Sequence, residues 1–254
     1  MAQAVLKQGV YTGEARMPFM THLKELRDRL MWSSIAVVIT TAIALIFGER
    51  IELWLIAPAP AGIHIVTIEL LENMSVYFKL CLWAGVIAAM PFLVYQLFAY
   101  VSPGLTSREK GLVLKILPAV TVMFLGGVAF AYYVALPPAL DFLYRFGDTV
   151  AEPMVRLENY VSIVTRLLLV IGLVFETPIV IMGLAKLGVV SPQWLAARRR
   201  IWMIVAFIAA AIITPTFDPV NQLIIAIPLI LLLELGILLS RLVYKKKREM
   251  PAET

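Results

Sequence analysis

Leu30-Met-Trp-Ser-Ser-Ile-Ala-Val-Val-Ile-Thr-Thr-Ala-Ile-Ala-Leu-Ile-Phe47 is an uncharged, mostly apolar run of 18 residues. About 20 such residues in a helix cross the roughly 30 Å hydrocarbon core of a bilayer. The run is too long for a signal-peptide core, and no A-x-A-like cleavage site follows it. It therefore predicts a retained first membrane helix. Five more apolar stretches repeat the pattern: Met74–Tyr100, Ile116–Leu136, Tyr160–Leu187, Ile201–Ile213 and Val220–Leu239. The expected fold is an all-α polytopic membrane protein with six transmembrane helices.

The connections are punctuated by breakers. Gly48 to Asn73 carries Pro58, Pro60 and Gly62, and its semi-apolar Ile51–Ile56 and Ile63–Ile68 are too short to span. Ser102-Pro103-Gly104 ends the second stretch, and Pro137-Pro138 is expected to stop the third. Pro138 to Asn159 is then a polar loop. Thr214–Pro219 turns the chain between the last two stretches. Thirteen residues, Ile201–Ile213, rise only about 20 Å as a helix, so helices five and six look short. The whole is expected to be one membrane domain, 1–254. Within it, 1–29 is a cytoplasmic N-terminal segment, 30–240 the bundle and 241–254 a cytoplasmic tail.

Composition agrees. Hydrophobic residues make up 61% and charged residues 15%, which excludes disorder, a nucleic-acid-binding arm and an ordinary soluble enzyme. The net charge of +5 comes from basic residues beside apolar runs. Seventeen of the 22 Lys and Arg fall in segments 1–29, 101–115, 186–200 and 241–254, and three fall in the alternate loops. Lys79 and Arg166 lie within spans. This bias places both termini in the cytoplasm. Cys81 is alone and reads as a packing residue. His22 and His64 are isolated, so no metal site or cofactor is expected. No H-E-x-x-H, G-x-S-x-G or phosphate-loop signature occurs. The weight shifts from enzyme to transporter, channel or receptor.

Four polar features stand out. Before helix one, Phe19, Leu23, Leu26 and Leu30 form one helical stripe, and His22, Glu25 and Arg29 share another face. The plain reading is an interfacial helix with a Glu25–Arg29 pair worth a few tenths of a kcal/mol. Glu109 sits in Ser107-Arg-Glu-Lys-Gly111, where a charged residue is ordinarily just solvated. Glu176, in Phe175-Glu-Thr-Pro178, lies in the middle of span four. An intramembrane carboxylate costs about 2.5–3.5 kcal/mol to insert, which favours a functional reading. Arg166 is ten residues away, too far for a direct pair. Glu234 stands in span six without an evident partner. The residues alone leave a proton- or ion-coupled secondary transporter of a small solute open, with Glu176 as its site; no internal repeat supports it.

Several motifs together resemble the TatC family of the twin-arginine protein translocase. They are His22-Leu-Lys-Glu-Leu-Arg-Asp-Arg-Leu30, Ala57-Pro58, Tyr95-Gln-Leu-Phe-Ala-Tyr-Val-Ser-Pro-Gly-Leu105, Arg108-Glu109-Lys110, Phe175-Glu-Thr-Pro178, Thr214-Pro215, Asp218 and Leu223 to Pro228. The resemblance implies a non-enzymatic receptor in the bacterial or archaeal inner membrane. Such a protein binds twin-arginine signal peptides of folded precursors, recruits single-span TatA- and TatB-type partners, and works on the proton-motive force. The implied signal-peptide site is Glu25 and Glu109, with Leu26, Arg27 and Tyr100 nearby; Tyr100 stands where the family usually has Phe. The implied polar partner site includes Thr214 and Gln222, with Asp218 in the turn beside them, and Pro58 is a structural loop residue. Ala211 replaces a residue that is often Met, and the loop carries an extra residue around Thr216–Asp218. Self-association within the complex is also implied. Two carboxylates facing two arginines make chemical sense, because a guanidinium fork matches a carboxylate bidentately and an ammonium does not. Six helices cannot enclose a path for a folded domain, whose radius of gyration is about 13 Å at 100 residues. The chain is therefore expected to be a receptor and assembly platform.

Overall fold

The computed structural model describes residues 19–60, 62–101, 107–146, 154–186, 188–216 and 218–244. Of the expected cytoplasmic segments 1–29 and 241–254, residues 1–18 and 245–254 lie outside the described residues. Ten α-helices are present among those described: α1 (Phe19–Ile46), α2 (Gly48–Ile56), α3 (Glu72–Val101), α4 (Ser107–Phe130), α5 (Leu136–Arg145), α6 (Leu157–Phe175), α7 (Thr177–Lys186), α8 (Pro192–Ala197), α9 (Arg199–Ile213) and α10 (Pro219–Val243). Two three-residue strands, β1 (His64–Val66) and β2 (Met154–Arg156), add a small parallel pair that the apolar runs do not announce. Five stretches are long and apolar enough to cross a membrane: Leu23–Ile46, Glu72–Leu97, Leu117–Arg145, Leu157–Lys186 and Pro219–Val243. The fold is an all-helical polytopic membrane bundle. At 15 residues, α9 rises about 22 Å, as short as expected. The expected shortness of the last helix does not hold, because α10 runs on through Ser240 and Arg241 to a length of 25 residues.

Two further sequence expectations need correction. Pro137-Pro138 does not stop the third helix. A π turn, Ala131–Ala135, joins α4 to α5, and the two prolines sit in the first turn of α5. There their missing N–H groups cost least, because first-turn donors have no partner in the same helix. The wider turn absorbs the change of register. The proposed loop from Pro138 therefore starts only after Arg145. The fourth span is two helices, α6 and α7, separated by a turn at Glu176. Pro178 has no N–H for the Val174 carbonyl, and the Thr177 hydroxyl donates to that carbonyl instead at 2.5 Å.

Packing between spans uses small residues, as expected where lipid gives no hydrophobic drive between helices. Helices α1 and α3 run antiparallel. A Cβ at Gly85 would lie 2.7 Å from the Thr41 backbone, and the Thr40 hydroxyl donates to the Gly85 carbonyl at 2.8 Å. Further along, the Cys81 thiol donates to the Ala44 carbonyl at 3.7 Å and the Tyr77 hydroxyl to the Leu45 carbonyl at 2.7 Å. Cys81 is thus the packing residue its surroundings suggested. Helices α4 and α6 meet at Gly127 and Gly172. Tyr160, Leu168, Ile171, Leu136, Val76 and Leu80 fill the centre of the bundle.

The two ends differ. At the capped end, α2 docks flat on the bundle, held by hydroxyls: Tyr132 donates to the Trp54 carbonyl at 2.6 Å and Tyr160 to the Leu55 carbonyl at 3.0 Å. Trp54 also stacks on Tyr132, with ring centroids 3.8 Å apart. In the strand pair, His64, Ile65 and Val66 face Met154, Val155 and Arg156. Beneath it Glu72, 3% exposed, accepts from the Ile68, Glu69 and Glu158 N–H groups and from Arg156. Arg156 also donates to Glu69, and Lys79 pairs with Glu158 at 2.7 Å. The bonds to Glu72 and Glu69 hold the Arg156 guanidinium above its ordinary pKa. At the opposite, basic end lie the starts of α1, α4 and α9 and the ends of α3 and α10.

Candidate functional site

The basic end of α1 is helical because Leu23-Lys-Glu-Leu-Arg-Asp-Arg-Leu30 consists mostly of strong helix formers. A groove of about 540 Å³ lies between α1 and α3, lined by Lys24, Glu25, Asp28, Arg29 and Trp32 on one side and Tyr95 and Gln96 on the other. Arg29 reaches across it. Its Nε and Nη2 donate to Glu25 Oε1 at 3.0 and 2.8 Å, and its Nη1 donates to Gln96 Oε1 at 3.0 Å. The side chains of Arg29 and Glu25 are 27% and 22% exposed, so the pair sits in the wall of the groove. Arg27 points away and pairs with Asp28 at 2.7 Å. Leu23, Leu26 and Leu30 are exposed alongside, a continuous apolar stripe.

The structure brings together only part of the expected site. Glu25 lines the groove; Leu26 and Arg27 flank it on the same helix; Tyr100 is half-buried one turn beyond Gln96. The Glu109 side chain lies outside the described residues, although its backbone belongs to α4. Gln96, Tyr95 and Trp32 were not singled out by the sequence. Gln96 stands inside a recognised motif, but only the antiparallel α1–α3 packing shows that it faces Arg29.

Deeper in the bundle, Glu176 is 4% exposed and neither of its oxygens has a hydrogen-bond partner among the described residues. The break between α6 and α7 leaves it there: Glu176 is the turn residue, and its carbonyl accepts from Ile179 and Val180. The other expected polar residues are engaged locally. The Thr214 hydroxyl donates to the Ala210 carbonyl at 2.9 Å. Gln222 Nε2 donates to the Phe207 carbonyl at 3.1 Å, tying α10 to α9. Asp218 caps α10 by accepting from the Asn221 N–H at 3.0 Å. None of these bonds reaches Glu176. Pro58 is half-buried in the turn after α2. Glu234, for which the sequence offered no partner, pairs with Arg199 at 2.8 Å. Among the described residues no group of His, Cys, Asp and Glu has the arrangement to hold a metal ion.

The fold and these features define a class: a polytopic α-helical membrane protein with a charged groove at one end and a carboxylate buried within its spans. A family profile for Sec-independent protein translocase protein (TatC) matches residues 21–228. The TatC protein of Aquifex aeolicus is 37% identical over 239 residues, covering 92% of this chain and 99% of its own. That of Carboxydothermus hydrogenoformans is 33% identical over 232 residues, covering 91% and 96%. A crystal structure of the twin arginine translocase receptor TatC superimposes with a TM-score of 0.73 at 36% identity, covering 87% of this chain and 99% of that one. The chain belongs to the TatC family of protein translocase components.

Proposed function

We propose that the chain is the signal-peptide receptor of a twin-arginine translocase in the cytoplasmic membrane, with six spans and both termini on the cytoplasmic side. The observation that carries this is the groove at the basic end, where Glu25 stands with its carboxylate already matched to a guanidinium. A fork-shaped cation is what that carboxylate accommodates. Glu109, at the start of α4, supplies the second carboxylate for the second arginine. The exposed Leu23, Leu26 and Leu30 offer apolar surface to the rest of the signal. Tyr100 and Arg27 frame this surface. The distribution of basic residues supports the orientation, and α9 is the short fifth span that brings the count to six. The chain folds as one membrane domain.

Single-span TatA- and TatB-type proteins are the partners, with further copies of this chain in the assembled complex. Their docking point is Glu176, with Thr214 and Gln222 beside α9. A buried carboxylate without a partner among the described residues has unspent hydrogen-bonding capacity, which lipid cannot satisfy.

Binding of a synthetic twin-arginine signal peptide to the purified protein tests the receptor reading. Losing a hydrogen bond to a charged group costs about 1.5–3 kcal/mol, so Glu25→Gln or Glu109→Gln weakens binding about 10- to 150-fold. Glu25→Lys and Glu109→Lys weaken it further by repelling the signal. Wild-type affinity in both charge-reversal variants refutes the assignment.

A further inference from the structure

The receptor reading leaves one residue unexplained. Arg29 occupies the carboxylate that an incoming arginine needs. We propose that Arg29 is an internal stand-in for the signal's guanidinium, and that its displacement from Glu25 sets the groove's preference for arginine over lysine. The inference rests on the receptor reading and adds a selectivity residue to it.

The geometry argues as follows. Both Arg29 bonds fall on one oxygen of Glu25, Oε1. The other oxygen, Oε2, has no partner among the described residues. A carboxylate oxygen accepts about two hydrogen bonds, so among the described residues Oε1 is full and Oε2 is open. A fork-on-fork contact needs both oxygens, and an arriving guanidinium must therefore displace Arg29. It replaces the two lost bonds with two of its own, bond for bond. An ammonium lacks the planar fork. It can take Oε2 alone, beside an undisplaced cation, or displace Arg29 without restoring the same pair of bonds.

Local charge raises the threshold. Between residues 24 and 29 three cations, Lys24, Arg27 and Arg29, face two anions, Glu25 and Asp28, and Asp28 is taken by Arg27. Asp28 lines the same groove, but it is the more exposed carboxylate, 41% against 22%, and among the described residues only the cation on Glu25 also reaches across to α3; Glu25 is therefore the acceptor set in the groove wall. The displaced Arg29 keeps a place to go. Its Nη1 already donates to Gln96 Oε1 on α3, so the side chain swings on that contact without leaving the groove. The Arg29–Glu25 pair is only partly buried, and i, i+4 pairs of this kind are weak. Such a pair can be exchanged, whereas a deeply buried one would not be.

Peptide affinity, measured on the purified full chain in detergent with a twin-arginine signal peptide and its twin-lysine counterpart, tests the proposal. Arg29→Gln frees both oxygens of Glu25 and removes a cation. It strengthens twin-arginine binding by about two- to fivefold, the span expected for relief of one exposed to half-buried ion pair. Twin-lysine binding gains more, and the ratio between the two peptides narrows. In a Glu25→Gln background the same change brings no gain, because there is no carboxylate to free. Arg29→Lys, which keeps the charge and loses the fork, moves in the same direction by less and serves if Arg29→Gln does not fold. Weaker or unchanged twin-arginine binding in the Arg29 variants overturns the proposal. So does a gain that persists without Glu25, or a ratio that stays fixed. Absence of saturable twin-arginine binding to the wild-type chain is a different result; it removes the receptor reading itself, and this inference falls with it.

Discussion

Gly126 and Gly127 are neighbours on α4, and the structure assigns them opposite sensitivities. A Cβ at Gly126 meets nothing within 4 Å. A Cβ at Gly127 would lie 2.7 Å from Phe175 Cβ and 2.9 Å from Gly172 Cα on α6. Carbon atoms pack best at about 3.5–4.0 Å, so Gly127→Ala forces α4 and α6 apart by about 1 Å. Each contact along that seam gains about 0.1–0.2 kcal/mol, and a gap of 0.5–1 Å forfeits a quarter to a half of it. Overpacking of this kind typically costs about 1–3 kcal/mol. Both substitutions share the helix preference for Ala over Gly, about 0.5–1 kcal/mol. The difference between them therefore isolates the clash. Gly126→Ala is expected to leave the protein as stable as the wild type or slightly more so, and Gly127→Ala to destabilise it by the stated amount net of that gain. Unfolding of the purified variants by titration with a denaturing detergent measures the two directly. Equal midpoints for the two variants would refute the α4–α6 contact. The consequence reaches the proposed docking point, because Phe175, which must yield, immediately precedes Glu176.

Three further outcomes follow from the geometry and the proposed orientation. Cysteines introduced at Pro60, Val150 and Phe217 label from outside, and those at Val5, Arg108, Ala197 and Met250 do not; the native Cys81, fully buried, stays silent. External labelling at Arg108 or Ala197 refutes the orientation. Glu176→Gln keeps a donor and an acceptor and retains most transport, whereas Glu176→Ala loses crosslinking to a single-span partner and still binds signal peptide; the reverse pattern places Glu176 in the peptide site. Arg199→Glu weakens an exposed pair with Glu234 and costs at most about 1 kcal/mol, recovered when Glu234→Arg is added; a loss several times larger shows that the pair does more than join α9 to α10.

The helices themselves were legible wherever an apolar run was long, because membrane insertion demands nearly 20 apolar residues in a row. The breaks were less so. Pro137-Pro138 is a stop signal in a soluble helix, but here a single wider turn, Ala131–Ala135, lets the chain continue. No periodicity announces a π turn. The β1–β2 pair joins His64 to Met154, and three-residue strands carry too little pattern to be seen. The docking of α2 depends on the hydroxyls of Tyr132 and Tyr160 finding backbone carbonyls at the far end of long helices. That is a matter of register between helices, which composition does not encode. The isolation of Glu176 was legible, because no base stood within reach along its own helix, and among the described residues neither of its oxygens finds a hydrogen-bond partner. The partner of Glu234 was not, since Arg199 becomes adjacent only when α9 and α10 pair.

The same distinction explains why the two ends of the bundle behave differently. At the capped end the charges are satisfied by residues far apart in sequence: Glu72 by Arg156 and the Glu158 N–H, Glu158 by Lys79. The Lys79–Glu158 pair and the Glu158 N–H bond to Glu72 tie α3 to α6, and removing Arg156 leaves the buried Glu72 carboxylate without its cation. At the basic end the charges on α1 pair with near neighbours, Arg27 with Asp28 and Arg29 with Glu25. These pairs hold no helices together. Among the described residues, these charges link across to α3 through the neutral acceptor Gln96. A charge-assisted network that spans elements resists exchange, whereas local pairs at a water-facing groove yield to a ligand that offers the same hydrogen bonds. The capped end therefore fixes the bundle, and the groove on α1 keeps charges that a cationic peptide can take over without unpacking any helix.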